Sequence, residues 1–98
     1  MIPKTKVSGA IHDQTGQPFN DPVVFRLSQT VRDMDHGIIT PSDIKVTPVD
    51  GVIEVSLWPN SRGEKQTVYQ LTIGNDQLTL VVPEQAEADL VDVLTLPG

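Results

Sequence analysis

IKVTPVDGVIEVSLW, residues 44–58, decides the class of fold. In both IKVTPV and VIEVSLW an apolar side chain returns at every second position, the period of a strand with one buried face. Between the runs stands Asp50-Gly51, and both residues tolerate the positive φ that a two-residue hairpin turn demands. The stretch therefore reads as a hairpin. Ile53, Val55 and Leu57 line its inner face, and Val52, Glu54, Ser56 and Trp58 line the other. Pro48 has no N–H to donate, which places the first arm at a sheet edge or a strand end.

The same period extends in both directions. KVSGAI sets Val7, Gly9 and Ile11 on one side before DQTGQP turns the chain, and VVFRLSQ alternates Val23, Phe25 and Leu27 with Val24, Arg26 and Ser28. TVYQLTI aligns Thr67, Tyr69, Leu71 and Ile73, GNDQ reads as a turn, and LTLVVP follows as the last strand. Residues 31–43, VRDMDHGIITPSD, mix charge, Gly and Pro and read as a loop or irregular edge. After Pro83 the spacing changes. Ala86, Leu90, Val93 and Leu94 recur at helical intervals behind early carboxylates, which predicts a helix of two or three turns over 84–94 and a tail over 95–98. Six or seven short strands separated by frequent turns describe an all-β, antiparallel sandwich or small barrel, a single domain over 1–98.

Composition bounds the function. A chain of 98 residues with 38% apolar residues supports one modest core, and contacts with neighbours would add to a small stability margin. Its formal charge of −6 repels phosphate backbones and anionic lipid, so neither nucleic acid nor membrane is an expected partner. Cysteine is absent, which removes disulfides and thiolate nucleophiles. The opening MIPKTKVSGAIHD has no apolar core of a signal peptide, so synthesis in the cytoplasm without export is expected.

Reactive constellations are sparse. Asp33, Asp35 and His36 could gather around one cation, but no fourth ligand stands at helical or strand spacing, and a solvated acidic loop is the simpler reading. His12 and Asp13 are adjacent on a strand and point to opposite faces. Ser8, Ser28, Ser42, Ser56 and Ser61 lack a nucleophile-elbow setting, and no phosphate-binding glycine pattern occurs. An isopeptide from Lys6 would need an Asn partner, and Asn60 and Asn75 both fall in turns. No enzyme, metal or cofactor is expected.

SLWPNSRG, residues 56–63, carries the chain's single Trp and has two readings. As a corner, the indole of Trp58 covers an end of the fold with its N–H on a loop acceptor, while Asn60 and Gly63 shape the turn. As an interface, Trp58, Asn60, Arg62 and Tyr69 face a partner, because Trp, Tyr and Arg anchor interfaces most often. The terminal helix repeats the choice: Leu90 and Leu94 either close the core or dock on another subunit. Pro22, Pro41 and Pro48 would blunt open sheet edges, so a homo-oligomer is expected to use side chains more than strand addition.

GAIHDQTGQPFNDPVVFRL resembles the opening of transthyretin-like or carboxypeptidase-regulatory-like sandwich domains, in which Gly, a β residue and Asp precede Gly-x-Pro-Val. The longer order of Ile-x-Pro, SLWPNSRG, a Tyr strand, VPE and Ala-Asp-Leu resembles small immunoglobulin-like domains of tailed-bacteriophage virion proteins, over nearly the whole chain. The resemblance implies a virion-located, non-enzymatic structural protein that binds capsid or tail and fibre subunits, either as a head decoration or in fibre attachment. A second reading is a sandwich that binds host-surface carbohydrate by stacking sugars on Trp58 and Tyr69; a third, a metal-dependent hydrolase, would rest on the acidic loop.

Overall fold

A computed structural model describes residues 3–95. The alternating runs become strands: β1 (Thr5–Ala10), β2 (Val23–Leu27), β3 (Val31–Asp33), β4 (Gly37–Ile39), β5 (Ile44–Val46), β6 (Val52–Leu57), β7 (Tyr69–Ile73), β8 (Asp76–Leu80), β9 (Glu87–Asp89) and β10 (Leu94–Thr95). A 3₁₀ turn at Asn60–Arg62 and one helical turn, α1 (Leu90–Val93), complete the elements. Two main sheets form, in the orders β6-β1-β9 and β10-β8-β7-β2-β5, with β3 and β4 as a separate pair. The fold is all-β and sandwich-like, as the period of two predicts.

The inward faces follow the alternation. Val7, Ile53, Val55 and Leu57 from the first sheet share one buried cluster with Val23, Phe25, Leu27, Tyr69, Leu71 and Leu80 from the second. Outward neighbours such as Arg26, Glu54 and Gln70 stay in solvent. Trp58 departs from the pattern. It follows the buried Leu57, yet it is itself only 5% exposed. Pro59 and the 3₁₀ turn end the strand there, so its period no longer governs the side chain.

Four sequence expectations change. The chain has ten strands among its described residues, rather than six or seven, because five of them are two or three residues long and too short to display a period. Residues 31–39 form a β3–β4 hairpin instead of a loop, turned at Gly37 with φ of 92°. Pairing is antiparallel except between β1 and β9, where Lys6 lies beside Glu87 in parallel register. The expected helix over 84–94 contracts to Leu90–Val93. Lys6 donates its backbone N–H to Ala86 O at 3.1 Å, which draws the preceding residues into the sheet edge and leaves Asp89 to cap what remains. Residues 96–98 of the expected tail lie outside the described residues.

The Asp50-Gly51 turn forms as read, with φ of 53° and 79° and Val49 and Val52 exchanging hydrogen bonds of 2.9 and 3.0 Å. Its arms then part. β5 pairs with β2 and β6 pairs with β1, so the turn carries the chain from one sheet to the other. Pro48, between β5 and the turn, cannot extend the ladder. Pro41 and Pro48 do bracket the edge strand β5, whereas Pro22 precedes β2, which lies inside its sheet between β7 and β5.

Candidate functional site

The densest polar arrangement is built around Asp33. Along β3 the burial alternates, with Val31 and Asp33 turned inward and Arg32 outward, so strand geometry drives a carboxylate into the interior. Its side chain has no exposed surface. Oδ2 accepts from Trp58 Nε1 at 2.6 Å and Arg62 Nε at 3.0 Å. Oδ1 accepts from the backbone N–H groups of Asp35 and His36 at 2.8 and 3.0 Å and from Arg62 Nη2 at 3.3 Å, with His36 Nδ1 at 3.1 Å. Burial pushes this carboxyl upward, but Arg62, Trp58 and the Asp35 amide together hold it well below the usual carboxylate range.

Arg62 completes the cluster from the 3₁₀ turn. Beyond Asp33 it reaches Asp35 Oδ2 at 2.8 Å through Nη2 and Glu84 Oε2 at 2.6 Å through Nη1, and its side chain is 9% exposed. Hydrogen bonds to Asp33, Glu84 and Asp35 raise its pKa, so it stays a cation. The backbone joins in. Arg62 O accepts from Met34 N–H, and Arg32 O accepts from Glu64 N–H, both at 3.0 Å, so β3 is held on its outer side by residues 62–64. Gly63 permits this approach: a Cβ there would stand 3.0 Å from Val31 Cγ2 and 3.1 Å from the Trp58 ring.

Asn60 fastens the other flank. Its Nδ2 donates to Thr67 Oγ1 at 2.8 Å, and its Oδ1 accepts from Val82 N–H at 2.8 Å. Tyr69 donates its hydroxyl to Trp58 O at 3.0 Å, and burial pushes its phenol up to about 12. Among the described residues no buried side-chain nitrogen or oxygen lacks a partner.

No protein-family model matches the chain, and no curated protein matches it. The geometry therefore carries the reading of the site.

The interface candidates are corrected by this geometry. Trp58, Asn60, Arg62, Tyr69 and Leu90 are all 8% exposed or less, and Leu94 is half-buried. They are turned into the chain: Trp58 and Arg62 donate to Asp33, Asn60 bonds to Thr67 and Val82, and Tyr69 donates to the Trp58 carbonyl. The glycan reading loses the two stacking platforms it named. Asp33, Asp35 and His36 do converge on a cation, and the cation is the Arg62 guanidinium. The acidic loop is thus not uniformly solvated: Asp35 is exposed, but Asp33 is fully buried.

The remaining candidates separate. Asp13 uses its carboxylate to fold its own turn, accepting from Thr15 Oγ1 at 2.6 Å and from the Thr15 and Gln17 amides. Lys6 faces Glu54 and Glu87 at 3.4 and 3.9 Å, while the Asn60 amide is bonded to Thr67. Leu90 packs over Gly9, where any Cβ would approach the Leu90 Cβ to 2.6 Å, so α1 closes this chain's own core. Sequence reading missed Asp33, Thr67 and Glu84 as members of the corner. For Asp33 a signal existed, since Val31 and Asp33 share a strand face. A groove of about 430 Å³ lies beside the corner, lined by Ser61, Gln66, Val68, Val81 and Pro83.

Proposed function

We propose that the chain is a non-enzymatic structural and interaction module of a bacteriophage particle, located in the virion and docked on capsid or tail proteins as a head decoration or fibre-attachment protein. The setting comes from the resemblance of the SLWPNSRG, VPE and Ala-Asp-Leu order to virion domains. The observation that carries the non-enzymatic reading is the corner itself. Asp33, Arg62, Trp58 and Tyr69, the side chains best suited to chemistry or recognition, hydrogen-bond to one another and hold the shape of the fold.

Rigid presentation is what such a module needs, since a preorganised surface loses less entropy on docking. Bonds from Asp33 and Arg62 fix the β3–β4 hairpin, whose Met34 and Ile38 stand 56% and 64% exposed. These are side chains that a capsid or tail surface would cover. Particles purified through a density gradient test the proposal. The chain should band with them at a constant ratio to the major capsid or tail protein, and imaging should trace it on the head or the tail. Recovery only in the free fraction of a lysate overturns it.

A further inference from the structure

Asp50-Gly51 is the only step in the chain where an Asp or Asn precedes Gly. Such a step carries its own chemistry. Glycine has no Cβ to shield its nitrogen or restrain its rotation, so the Gly51 nitrogen can attack Asp50 Cγ when the carboxyl is protonated. The N–Cγ bond forms, the bond from Cγ to the hydroxyl breaks, and the amide proton leaves with that hydroxyl as water. Water then opens the five-membered imide at either carbonyl. One opening restores Asp50, and the other leaves isoaspartate, whose extra backbone carbon lengthens the turn. In this fold the carboxyl is open and the nitrogen is not. Asp50 is exposed, whereas Gly51 is buried. Gly51 N–H donates to Asn20 Oδ1 at 2.9 Å, and Gly51 O accepts from Ile11 N–H at 2.7 Å. A Cβ on Gly51 would stand 2.8 Å from Ile11 O and 2.9 Å from Pro18 Cβ, so the connection from β1 to β2 lies directly on this residue. Phe19 keeps Asn20 in reach: its N–H donates to Ile11 O at 2.9 Å, and its side chain packs against the core.

We propose that Asp50-Gly51 is a latent modification site, an aspartate able to isomerise, and that Asn20 is the positioning residue that keeps it closed by holding the Gly51 N–H. Adjacent groups react only from a near-attack geometry. To reach it, the peptide between Asp50 and Gly51 must turn until its nitrogen faces Cγ, and that motion withdraws the N–H from Asn20 Oδ1. The bond must break first. Ile11 holds the carbonyl of the following peptide, so neither plane beside Gly51 rotates without losing a partner. What this restraint protects is the joint between the sheets. The turn carries the chain from β5 to β6, and an added backbone carbon would displace Val49 from Val52, which now exchange two hydrogen bonds. The inference holds whether or not the chain belongs to a virion.

The full chain, held in neutral buffer both folded and in concentrated urea, tests the proposal, with isoaspartate at position 50 read by fragmentation mass spectrometry. Folded wild type should accumulate it at least about tenfold more slowly than the unfolded chain, because only the latter reaches the attack geometry freely. Asn20→Ala should raise the folded rate about fivefold or more, the factor that one hydrogen bond sets. Asn20→Asp keeps an acceptor oxygen at the same reach and should restore most of the protection. Hydrogen exchange separates this role from a general loosening: in Asn20→Ala the Gly51 amide should exchange faster while β1 and β7 stay protected. Equal rates in folded and unfolded wild type overturn the proposal. So does an Asn20→Ala chain that isomerises no faster than wild type, or one whose gain comes only with lost protection in β1 and β7. An Asn20→Asp chain as fast as Asn20→Ala overturns it too.

Discussion

Asp33 and Arg62 are the residues on which the corner depends. A buried ion pair is tolerable only when its remaining hydrogen-bonding capacity is filled, and here Trp58, two backbone amides, Asp35 and Glu84 fill it. Removing one partner leaves the other charge without compensation. Arg62→Met is expected to lower the melting temperature by about 10 °C or more, and Arg62→Met combined with Asp33→Leu to recover part of that loss; calorimetry of the two variants decides. Trp58→Phe keeps most of the ring and deletes the 2.6 Å donor, so it should cost about 1–3 kcal/mol in urea unfolding. The same residues set the pH limits. Asp33 has a native pKa far below its unfolded value of 3.8, so its stabilisation is complete above about pH 4 and declines as pH falls toward the native value. Tyr69 behaves oppositely: with a native value of about 12 against 10.0 unfolded, its contribution is intact below pH 10 and is lost between 10 and 12. Chemical denaturation across pH should show Asp33→Asn flattening the acid limb and Tyr69→Phe flattening the alkaline one.

At the scale of elements, the β3–β4 hairpin has three residues per strand and could not hold itself in water. It depends on the bonds from residues 62–64 on one side and on Asp33 inside. Gly63→Ala, which pushes a methyl toward Val31 and the Trp58 ring, should therefore speed amide exchange throughout residues 31–39 while β1 and β7 stay protected. Rates that do not change would mean that the hairpin is held elsewhere. The single turn α1 is equally dependent on its seat. Gly9→Ala would drive a Cβ to 2.6 Å from Leu90 Cβ, and since that atom is the rigid base of the side chain, the turn must shift. A loss of about 1–3 kcal/mol, with faster exchange in residues 87–94, is the expected result.

For the whole molecule, one core is shared by two sheets, and each inward side chain touches partners from distant parts of the chain. Phe25 and Leu71 stand opposite each other in register on β2 and β7 and have no exposed surface. Phe25→Ala or Leu71→Ala should each cost about 2–5 kcal/mol, a large share of what a domain this small has in hand. A melting midpoint equal to that of the wild type would place these side chains outside the core.

Much of this was legible because strand burial is local arithmetic: once Phe25 faces inward, Val23 and Leu27 must as well, and the same rule set the faces of β6 and β7. The Asp50-Gly51 turn was legible for a similar reason, since positive φ is a property of the residues themselves. The partners of those strands were not. Nothing within residues 44–58 says that β5 will join β2 while β6 joins β1, because pairing is settled by surfaces brought together from elsewhere. The helix expected over 84–94 failed on that ground, as an edge of β1 offered the backbone a bond that local spacing could not reveal. Of the corner, Trp58 with its bonded N–H and the turn shaped by Asn60 and Gly63 were legible, but its charged members were not. Asp33, Trp58, Arg62 and Glu84 span 52 positions of sequence, and a carboxylate reads as solvated until the guanidinium that neutralises it is seen in place. Residue order by itself determined an all-β chain, its turns and most of its buried faces, whereas folding in three dimensions decided which charges lie inside, because only there do desolvation and ion pairing act on the same atoms.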